Sequence, residues 1–492
     1  MKIQPRDIPR LMTALLALLL AGLVFYKAAA TSFTHDESYT YNNCVTASLS
    51  DIFTYKVVSS NNHLLNTLLM KAFSTVLGRS EFALRLPNLL AFIGFLIFLF
   101  LLICRMNRWA GMAVFALAVC NPYMLDFFAL ARGNGMSLCF MTGSIYFFSR
   151  PAGKSDTRYY ALAVLLAFLA VLSHFTLLYY LLALITVANL RPFFAGPSPG
   201  GRAIFNRTIF LRINLTNFFT LLVLGLIIWK PITRLASDNQ FFYGGETGFI
   251  KNTIASLIEA FLYGKNYGSS LSFIFQAGVF AVTIAAILAA IHALAAKNRL
   301  PDEDNRLFFI LLLLLIFMTG FNLAHHYLGG TKLLIRRTAL LYVPVFMLFT
   351  GSLLFFNRKG RLIPISAALA TILALAFMIH TLAAFSLTTY LDWDYEKETR
   401  HVVDLLQREI PANTPERSVA MGITWFFEPT INFYRDTRAL KWLKPVTRDG
   451  PAINAEYFYI IKEEFSKIPR DGARPAIQFD DGKVILVRLA QQ

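Results

Sequence analysis

Residues 11–30 read LMTALLALLLAGLVFYKAAA, and the acidic pair Asp36-Glu37 follows shortly after this run. A run of about 20 apolar residues is long enough to cross the hydrocarbon core of a bilayer as an α-helix. The run is long for a secretory signal, and no small-residue cleavage site followed by a soluble chain ends it, so we interpret it as an uncleaved first span. The acidic pair is therefore predicted to lie just outside the membrane, at one of its faces.

The composition of the whole chain indicates a polytopic membrane protein. Of its 492 residues, 56% are hydrophobic, and the mean hydropathy is +0.53. The net charge of +17 is explained by the excess of Lys and Arg that membrane proteins carry in their cytoplasmic loops. A nucleic-acid partner is excluded, because the sequence has no Arg/Gly-rich tract and no basic stripe with interleaved aromatic residues. The four cysteines show neither zinc-ligand spacing nor a disulfide framework.

Apolar windows along the chain predict about eleven transmembrane helices. The short loops on one side of these spans are basic almost without exception, and this bias places those loops and the N-terminus in the cytoplasm. The opposite, extracytoplasmic face then carries the loops 31–85 and 232–270 and the chain after residue 385. The predicted spans are 11–30, 86–104, 109–125, 133–149, 159–173, 175–190, 213–231, 271–296, 307–325, 338–356 and 362–385.

The sequence predicts two domains. Residues 1–385 form a transmembrane domain with a catalytic site at its outer face. Residues 386–492 are polar and charged and carry turn signals, which is typical of a small soluble extracytoplasmic α/β domain. The predicted elements of this second domain are a helix over 394–410, a strand over 457–461 and a hairpin over 478–487 around Asp481-Gly482.

Ionisable residues are scarce near the centres of the predicted spans. An ion-coupled transporter would be expected to carry acidic residues or broken helices at the membrane midplane, together with inverted repeats. The sequence shows neither, which favours an enzyme with its site at the membrane surface. A polytopic lipid or polysaccharide flippase or transporter is the alternative function. A membrane assembly factor, with a C-terminal domain that recruits partners, is the non-enzymatic alternative.

Four motif-like segments lie on the predicted outer face. The most specific of them combines two short motifs, NNHLL at 61–65 and GRSEFALRLP at 78–87. The other three are Asp36-Glu37 after the first span, Arg132 at the opening of the fourth span, and Arg336-Arg337 before Tyr342-Val343-Pro344.

These segments resemble the GT-C class of membrane glycosyltransferases, and within it the bacterial protein-O-mannosyltransferase-like group that includes the lipid A aminoarabinose transferases. The pair of short motifs is similar to that group's pattern of His/Lys-Pro-Pro-Leu followed by G-x-S-E-x-x-x-R-L-P. The chain departs from the pattern in two places, since no Pro-Pro follows Asn62 and Asn134 stands where Tyr is common. The resemblance implies a GT-C-like helical fold with about 11 transmembrane helices, in the bacterial inner membrane.

The resemblance implies a transferase that takes a sugar from a polyprenyl-phosphate donor and passes it to a lipid, glycan or protein acceptor of the cell envelope. The attacking hydroxyl must lose its proton, and a carboxylate can accept it, so Asp36 and Glu37 are the predicted catalytic residues. The leaving phosphate needs cationic or hydrogen-bonding partners. The predicted substrate-binding residues are Asn62, His63, Arg132, Lys332, Arg336 and Arg337.

Each of these residues also has an ordinary structural interpretation. In that interpretation Asp36 is an N-cap or a solvated loop acid, Glu81 caps its helix or pairs with Arg85, and the outer-face arginines anchor helix ends at the interface. The outer-face histidines, His174 among them, are then structural. No metal ligands and no definite cofactor are predicted, and a divalent metal stays an open alternative. The sequence does not decide which sugar or which acceptor is used.

Overall fold

The computed structural model describes most of the chain and divides it into two compact units. The first unit consists of Met1–Phe25, Phe53–Asn66 and Pro87–Phe385. The second unit consists of Tyr26–Ile52, Thr67–Leu86 and Ser386–Gln492. The described residues are 7–104, 106, 108–150, 156–194, 207–295, 303–355, 362–410, 418–468, 474–479 and 483–489.

Helices make up most of the described chain, and each predicted span overlaps one of them. In chain order they are α1 Ile8–Ala30, α2 His35–Thr40, α3 Leu49–Thr54, α4 Leu64–Leu77, α5 Glu81–Ile103, α6 Arg108–Val119, α7 Pro122–Ala129, α8 Gly133–Phe148, α9 Asp156–Ser173, α10 Leu178–Phe194, α11 Arg207–Ser237, α12 Ala255–Leu262, α13 Ser269–Ala295, α14 Glu303–Gly329, α15 Tyr342–Phe355, α16 Leu362–Ala384, α17 Thr399–Glu409 and α18 Glu428–Thr437.

The membrane-spanning character of these helices is clearest in four of them. Within the described ranges, α1, α5, α11 and the Arg306–Gly329 part of α14 are long and apolar enough to cross a membrane, judged by length and composition. The pair α6 and α7 would make a fifth if it is one bent span. The total of eleven spans stays a prediction.

The predicted span 109–125 is not one continuous helix, because the structure has two helices there that meet at a bend of 68°. Pro122 begins α7, and a proline disfavours the helical conformation in the residue before it. That residue, Asn121, is accordingly extended, with φ −139 and ψ 108. Its side chain accepts a hydrogen bond from the Met124 N–H at 3.0 Å, so it caps the new helix.

Buried amides hold the turn between α7 and α8. The Asn66 side chain donates to the Ala131 carbonyl at 3.0 Å, and the Asn88 side chain donates to the Leu130 carbonyl at 2.6 Å and also to the Arg132 carbonyl. Both asparagines are buried. A buried turn needs such partners, since its carbonyls are out of reach of water. The turn thereby fixes Arg132, which is the N-cap residue of α8.

The second unit contains a four-stranded sheet. Its strands are β1 Met421–Ile423, β2 Tyr457–Ile461, β3 Arg474–Phe479 and β4 Val484–Arg488, in the order β1-β2-β4-β3. β1 pairs with β2 in parallel, whereas the β2–β4 and β3–β4 pairs are antiparallel. One face of the sheet is apolar and packs into a cluster that includes Phe458, Ile460, Ile485 and Val487.

The C-terminal elements match the predictions in part. The strand predicted over 457–461 is β2, and β3 and β4 form an antiparallel pair as predicted, although the turn residues Asp481-Gly482 lie outside the described residues. The helix predicted over 394–410 is wrong at its start: a 3-10 helix, Leu391–Glu396, precedes α17, and Trp393 breaks it with φ −139 and ψ 43. The division into domains 1–385 and 386–492 stays a prediction.

Candidate active site

Glu37 forms a buried ion pair in the second unit. The Arg85 guanidinium donates two hydrogen bonds to its carboxylate, from Nε to Oε1 at 2.8 Å and from Nη2 to Oε2 at 2.7 Å. Neither side chain has any exposed surface. Two parallel hydrogen bonds between Arg and a carboxylate combine charge with a fixed geometry, so this pair holds both side chains in place.

Glu37 also stabilises the start of the short helix that carries Asp36. The N-cap residue Thr34 donates to Glu37 Oε2 from its backbone N–H at 2.9 Å and from its hydroxyl at 3.0 Å. The Glu37 N–H donates back to the Thr34 hydroxyl at 3.5 Å, which completes a capping box. Asp36 is 7% exposed in this turn. Of the two predicted catalytic carboxylates, Glu37 is therefore the one that belongs to the ion pair and the cap.

Arg85 ties the segment between α1 and α2 to the same ion pair. Its Nη1 donates to the carbonyls of Ala28 and Thr31 at 2.8 and 3.0 Å, and its Nη2 donates to the Ser32 carbonyl at 2.7 Å. A buried guanidinium with this many partners is costly to replace. The segment that leads to Asp36 is thus fixed from both of its ends.

The structure does not pair Glu81 with Arg85 as the structural interpretation predicts. Arg85 instead forms its hydrogen-bonded ion pair with Glu37, because its side chain is buried among the carbonyls of the α1–α2 segment. Glu81 accepts a hydrogen bond from the Tyr434 hydroxyl at 3.0 Å, and its carboxylate lies 3.6 Å from the Arg400 guanidinium.

Sequence reasoning missed Glu396, a second buried acid in the second unit. Its carboxyl accepts hydrogen bonds from the Thr399 and Thr430 hydroxyls at 2.6 and 2.8 Å. Burial raises the pKa of Glu396 to about 8; the two hydroxyls lower it, and the charge of Glu37 raises it further. Glu396 is therefore mostly protonated at neutral pH, which keeps a second negative charge away from Glu37. Nothing in the local sequence signals this, because the burial comes from distant elements.

Two histidines and two arginines form a buried cationic cluster in the first unit: His63, Arg132, His174 and Arg337. The His63 and His174 rings stack with centroids 4.8 Å apart and planes 28° apart. His63, His174 and Arg132 are buried, and Arg337 is half-buried. Three members of this cluster were predicted to bind substrate, and the structure brings them together. The fourth, His174, was interpreted as structural.

The electrostatics of the cluster follow from its burial and its two arginines. Burial is the largest cause that lowers the pKa of His63 well below its ordinary value, followed by the charges of Arg132, His174 and Arg337. Burial and the same two arginines lower the pKa of His174 to about 3. Both imidazoles are therefore neutral at pH 7, and the positive charge of the cluster resides on the arginines. An anion is the ligand that such a site favours.

Polar neighbours orient the two arginines. Arg132 Nη1 donates to the side-chain oxygen of Asn61 at 3.1 Å. The Asn134 side chain donates to the backbone carbonyl of Arg337 at 3.0 Å, which joins α8 to the turn before α15. The Arg337 guanidinium lies 4.9 Å from the centre of the Tyr243 ring, a distance typical of a cation–π contact.

Lys332 and Arg336, also predicted to bind substrate, pair with acidic residues. Lys332 forms an ion pair with Glu246. The Arg336 guanidinium lies 3.5 Å from the Glu259 carboxylate. Arg336 has φ +43, the left-handed region, at the start of the 3-10 helix Arg336–Ala339, and this turn gives it a partner different from those of its neighbour Arg337.

Asn62 precedes His63 and is buried. Its backbone carbonyl accepts a hydrogen bond from the Tyr55 hydroxyl, which fixes the loop in front of His63. In the part of the chain that the structure describes, no group of three or more His, Cys, Asp or Glu side chains is arranged to hold a metal ion.

Comparison with known proteins gives a family match over part of the chain and structural matches over nearly all of it. Residues 62–229 match the family model "Dolichyl-phosphate-mannose-protein mannosyltransferase". The crystal structure of ArnT from Cupriavidus metallidurans bound to undecaprenyl phosphate aligns with a TM-score of 0.50 and 11% identity, over 96% of this chain and 97% of that one. The predicted resemblance is confirmed. The apo structure of the same ArnT aligns over the same shares with a TM-score of 0.50 and 9% identity.

At these identities the two structures show the fold alone, and the GT-C-like fold agrees with the several apolar helices of this chain. The range of the family match contains His63, Arg85, Arg132 and His174. No curated protein sequence matches the chain.

Proposed function

We propose that this chain is a glycosyltransferase that moves a sugar from a polyprenyl-phosphate donor to an acceptor hydroxyl at the extracytoplasmic face of the membrane. The observation that carries the proposal is the buried cationic cluster of His63, Arg132, His174 and Arg337 in a chain with a GT-C-like fold. A lipid phosphate is the anion that such a membrane protein would encounter at its surface. The ArnT structure with undecaprenyl phosphate is a relative with a ligand of this class.

The phosphate contacts are assigned to Arg132 and Arg337, with His63 as a hydrogen-bonding partner. A guanidinium can hold a phosphate through two parallel N–H···O bonds, and a water-poor site strengthens such bonds. Negative charge grows on the phosphate as the sugar departs, and cations already in place stabilise that charge without reorganisation. Lys332 and Arg336 are left out of this assignment, because each is paired with a carboxylate.

The base is assigned to Asp36. In this proposal the acceptor hydroxyl gives its proton to the Asp36 carboxylate, and its oxygen forms a bond to the anomeric carbon. The bond between that carbon and the phosphate oxygen breaks, and the electron pair leaves with the polyprenyl phosphate. One direct displacement of this kind inverts the anomeric carbon. Glu37 and Arg85 act as positioning residues, since both belong to the ion pair that fixes the Asp36 turn.

The phosphate assignment is tested by replacing Arg132 and Arg337 singly with Lys. Lys keeps the charge but cannot reproduce the two parallel hydrogen bonds, so affinity for a polyprenyl phosphate should fall about 10- to 100-fold, the equivalent of one lost charged hydrogen bond. Arg336→Lys is the matched control, because Arg336 is adjacent to Arg337 in the chain but pairs with Glu259. This variant should bind the phosphate nearly as well as the wild type. Binding to purified protein is the measurement. Wild-type affinity in both Arg132→Lys and Arg337→Lys would reject the assignment.

The orientation rests on the basic short loops of the predicted cytoplasmic side. A reporter enzyme that is active only outside the cytoplasm, fused after Gln492, should therefore be active. A fusion of the same reporter within the predicted cytoplasmic loop at Arg150 is the control, and it should be inactive. Activity of a cytoplasm-only reporter at Gln492 would overturn both the orientation and the assignment of the site to the outer face.

A further inference from the structure

The two histidines of the cationic cluster have a feature that the proposed phosphate contacts do not explain. His63 and His174 are 8% and 9% exposed, and their rings stack. His63 Nε2 is buried and has no hydrogen-bond partner among the described residues. Buried polar atoms in proteins are nearly always paired, so such an atom points to a ligand that completes the site.

The backbone around the pair is built for close approach. A Cβ on Gly133 would lie 1.8 Å from the Ser173 carbonyl oxygen and 2.8 Å from His63 Cβ. Only glycine therefore lets the start of α8 approach both the residue before His174 and the side chain of His63. Nδ1 of His174 is in turn hydrogen-bonded to the Thr176 hydroxyl at 2.7 Å, which fixes the orientation of that ring. The stacked pair is thus held by three separate segments of the first unit.

The charges that act on the pair are all positive. Burial is the largest cause that lowers the pKa of both imidazoles, and the charges of Arg132 and Arg337 lower it further. His174 adds to the effect on His63. In this state the pair is neutral. The positive charges of the arginines disfavour a proton on either imidazole, and a phosphate bound between the arginines would offset this effect. The negative charge of the phosphate would favour an imidazolium in direct contact with the phosphate.

We propose that His63 and His174 together take up one proton when a phosphate headgroup binds, and that the resulting imidazolium donates a hydrogen bond to it. This inference rests on the proposed function and extends the site to His174. The donor is a phosphodiester with one negative charge, whereas the released polyprenyl phosphate is a monoester whose second pKa is about 6. The proton should therefore be held more firmly in the product complex, where the charge on the phosphate is greater.

This proton is separate from the one that the acceptor hydroxyl gives to Asp36. During transfer the bond from the anomeric carbon to the phosphate oxygen breaks, and its electron pair stays on that oxygen. The imidazolium then faces a phosphate with one more negative charge. When the polyprenyl phosphate leaves, the pair returns its proton to solvent and is neutral again. No oxidant, metal or further reactant is needed for this balance.

The test is a calorimetric titration of the full-length protein with a polyprenyl phosphate at pH 7, in two buffers of different ionisation enthalpy. The difference in heat gives the protons taken up, and we expect about one per phosphate bound. Between the pKa of the free pair and the higher pKa of the occupied pair, affinity should weaken about tenfold per pH unit as the pH rises, and above the pKa of the occupied pair it should level off. In His174→Gln the uptake and the slope should be lost, whereas His401→Gln, on the exposed face of α17, should retain both.

The outcomes of this titration distinguish failure of the inference from failure of the proposed function. Binding by the wild-type protein without proton uptake would overturn the inference and leave the proposed function intact; this result needs no variant and so does not depend on how variants fold. An absence of binding would overturn the proposed function and the inference with it. A parallel titration with inorganic phosphate separates the two sources of the headgroup. Equal affinity for inorganic phosphate would reject the lipid as the ligand, while weaker binding with the same proton uptake supports it.

Discussion

Transfer by Asp36→Asn should be about 10²–10⁴-fold slower than by the wild-type protein, which is the contribution typical of general acid–base catalysis. The substitution keeps the size of the side chain and its capacity for hydrogen bonds, but it removes the ability to accept a proton. Stability should change little, because the turn that carries Asp36 is held by the Glu37–Arg85 ion pair and by the Thr34 cap. The measurement is sugar transfer by purified protein from a polyprenyl-phosphate donor.

A matched control for this experiment is Asp51→Asn. Asp51 lies in the first turn of α3, another short helix that follows α2, and it should be close to wild type in transfer. Near-normal transfer by Asp36→Asn would reject Asp36 as the base. If the protein were a flippase, the substitution would alter lipid transport and no sugar transfer would be detected in either form, which separates the alternative from the proposed function.

The hydropathy of the chain predicts where its helices lie, but it cannot predict how they bend. Every predicted span overlaps a helix, because the signal is a property of one continuous run of residues. The break between α6 and α7 depends on a single residue, Pro122, inside an apolar run of otherwise helical character. A window average hides one proline. The sequence contains the signal for this break, a residue that directly precedes proline, but the length of the apolar run favours a single continuous span.

The candidate site could be predicted by residue type and not by role. Asp36 and Glu37 are adjacent and similar in sequence, and what separates them is Arg85, which lies on a different helix and pairs with Glu37. Arg336 and Arg337 are adjacent too, and the left-handed backbone at Arg336 gives them different neighbours.

The pairing of His63 with His174 shows the same limit. The two residues are far apart in the chain, and each alone resembles a structural histidine at a helix end. Their stacking depends on the close approach that Gly133 permits. Roles of this kind arise from contacts between distant segments, which a single sequence does not record.

The Glu37–Arg85 pair should be the most costly interaction to break in the second unit. Arg85→Met leaves the Glu37 carboxylate buried without its partner and removes three hydrogen bonds to backbone carbonyls, so the free energy of unfolding should fall by about 3–5 kcal/mol or more. Glu37→Gln should cost somewhat less, because an amide still accepts from Thr34 and Arg85. The exposed pair of Arg448 and Glu428 is the control, and breaking it should cost at most about 1 kcal/mol.

The double variant Glu37→Gln, Arg85→Met separates the charge of the pair from its geometry. Without an uncompensated buried charge, it should be less destabilised than the sum of the two single variants, by about 0.5–3 kcal/mol of coupling. Thermal unfolding in detergent measures this difference. Transfer should nevertheless stay low in the double variant, because the α1–α2 segment has lost the hydrogen bonds of Arg85 and Asp36 is no longer held in position. Strict additivity of the two stability changes would show that the side chains act independently, and full recovery of transfer would show that the pair does not position Asp36.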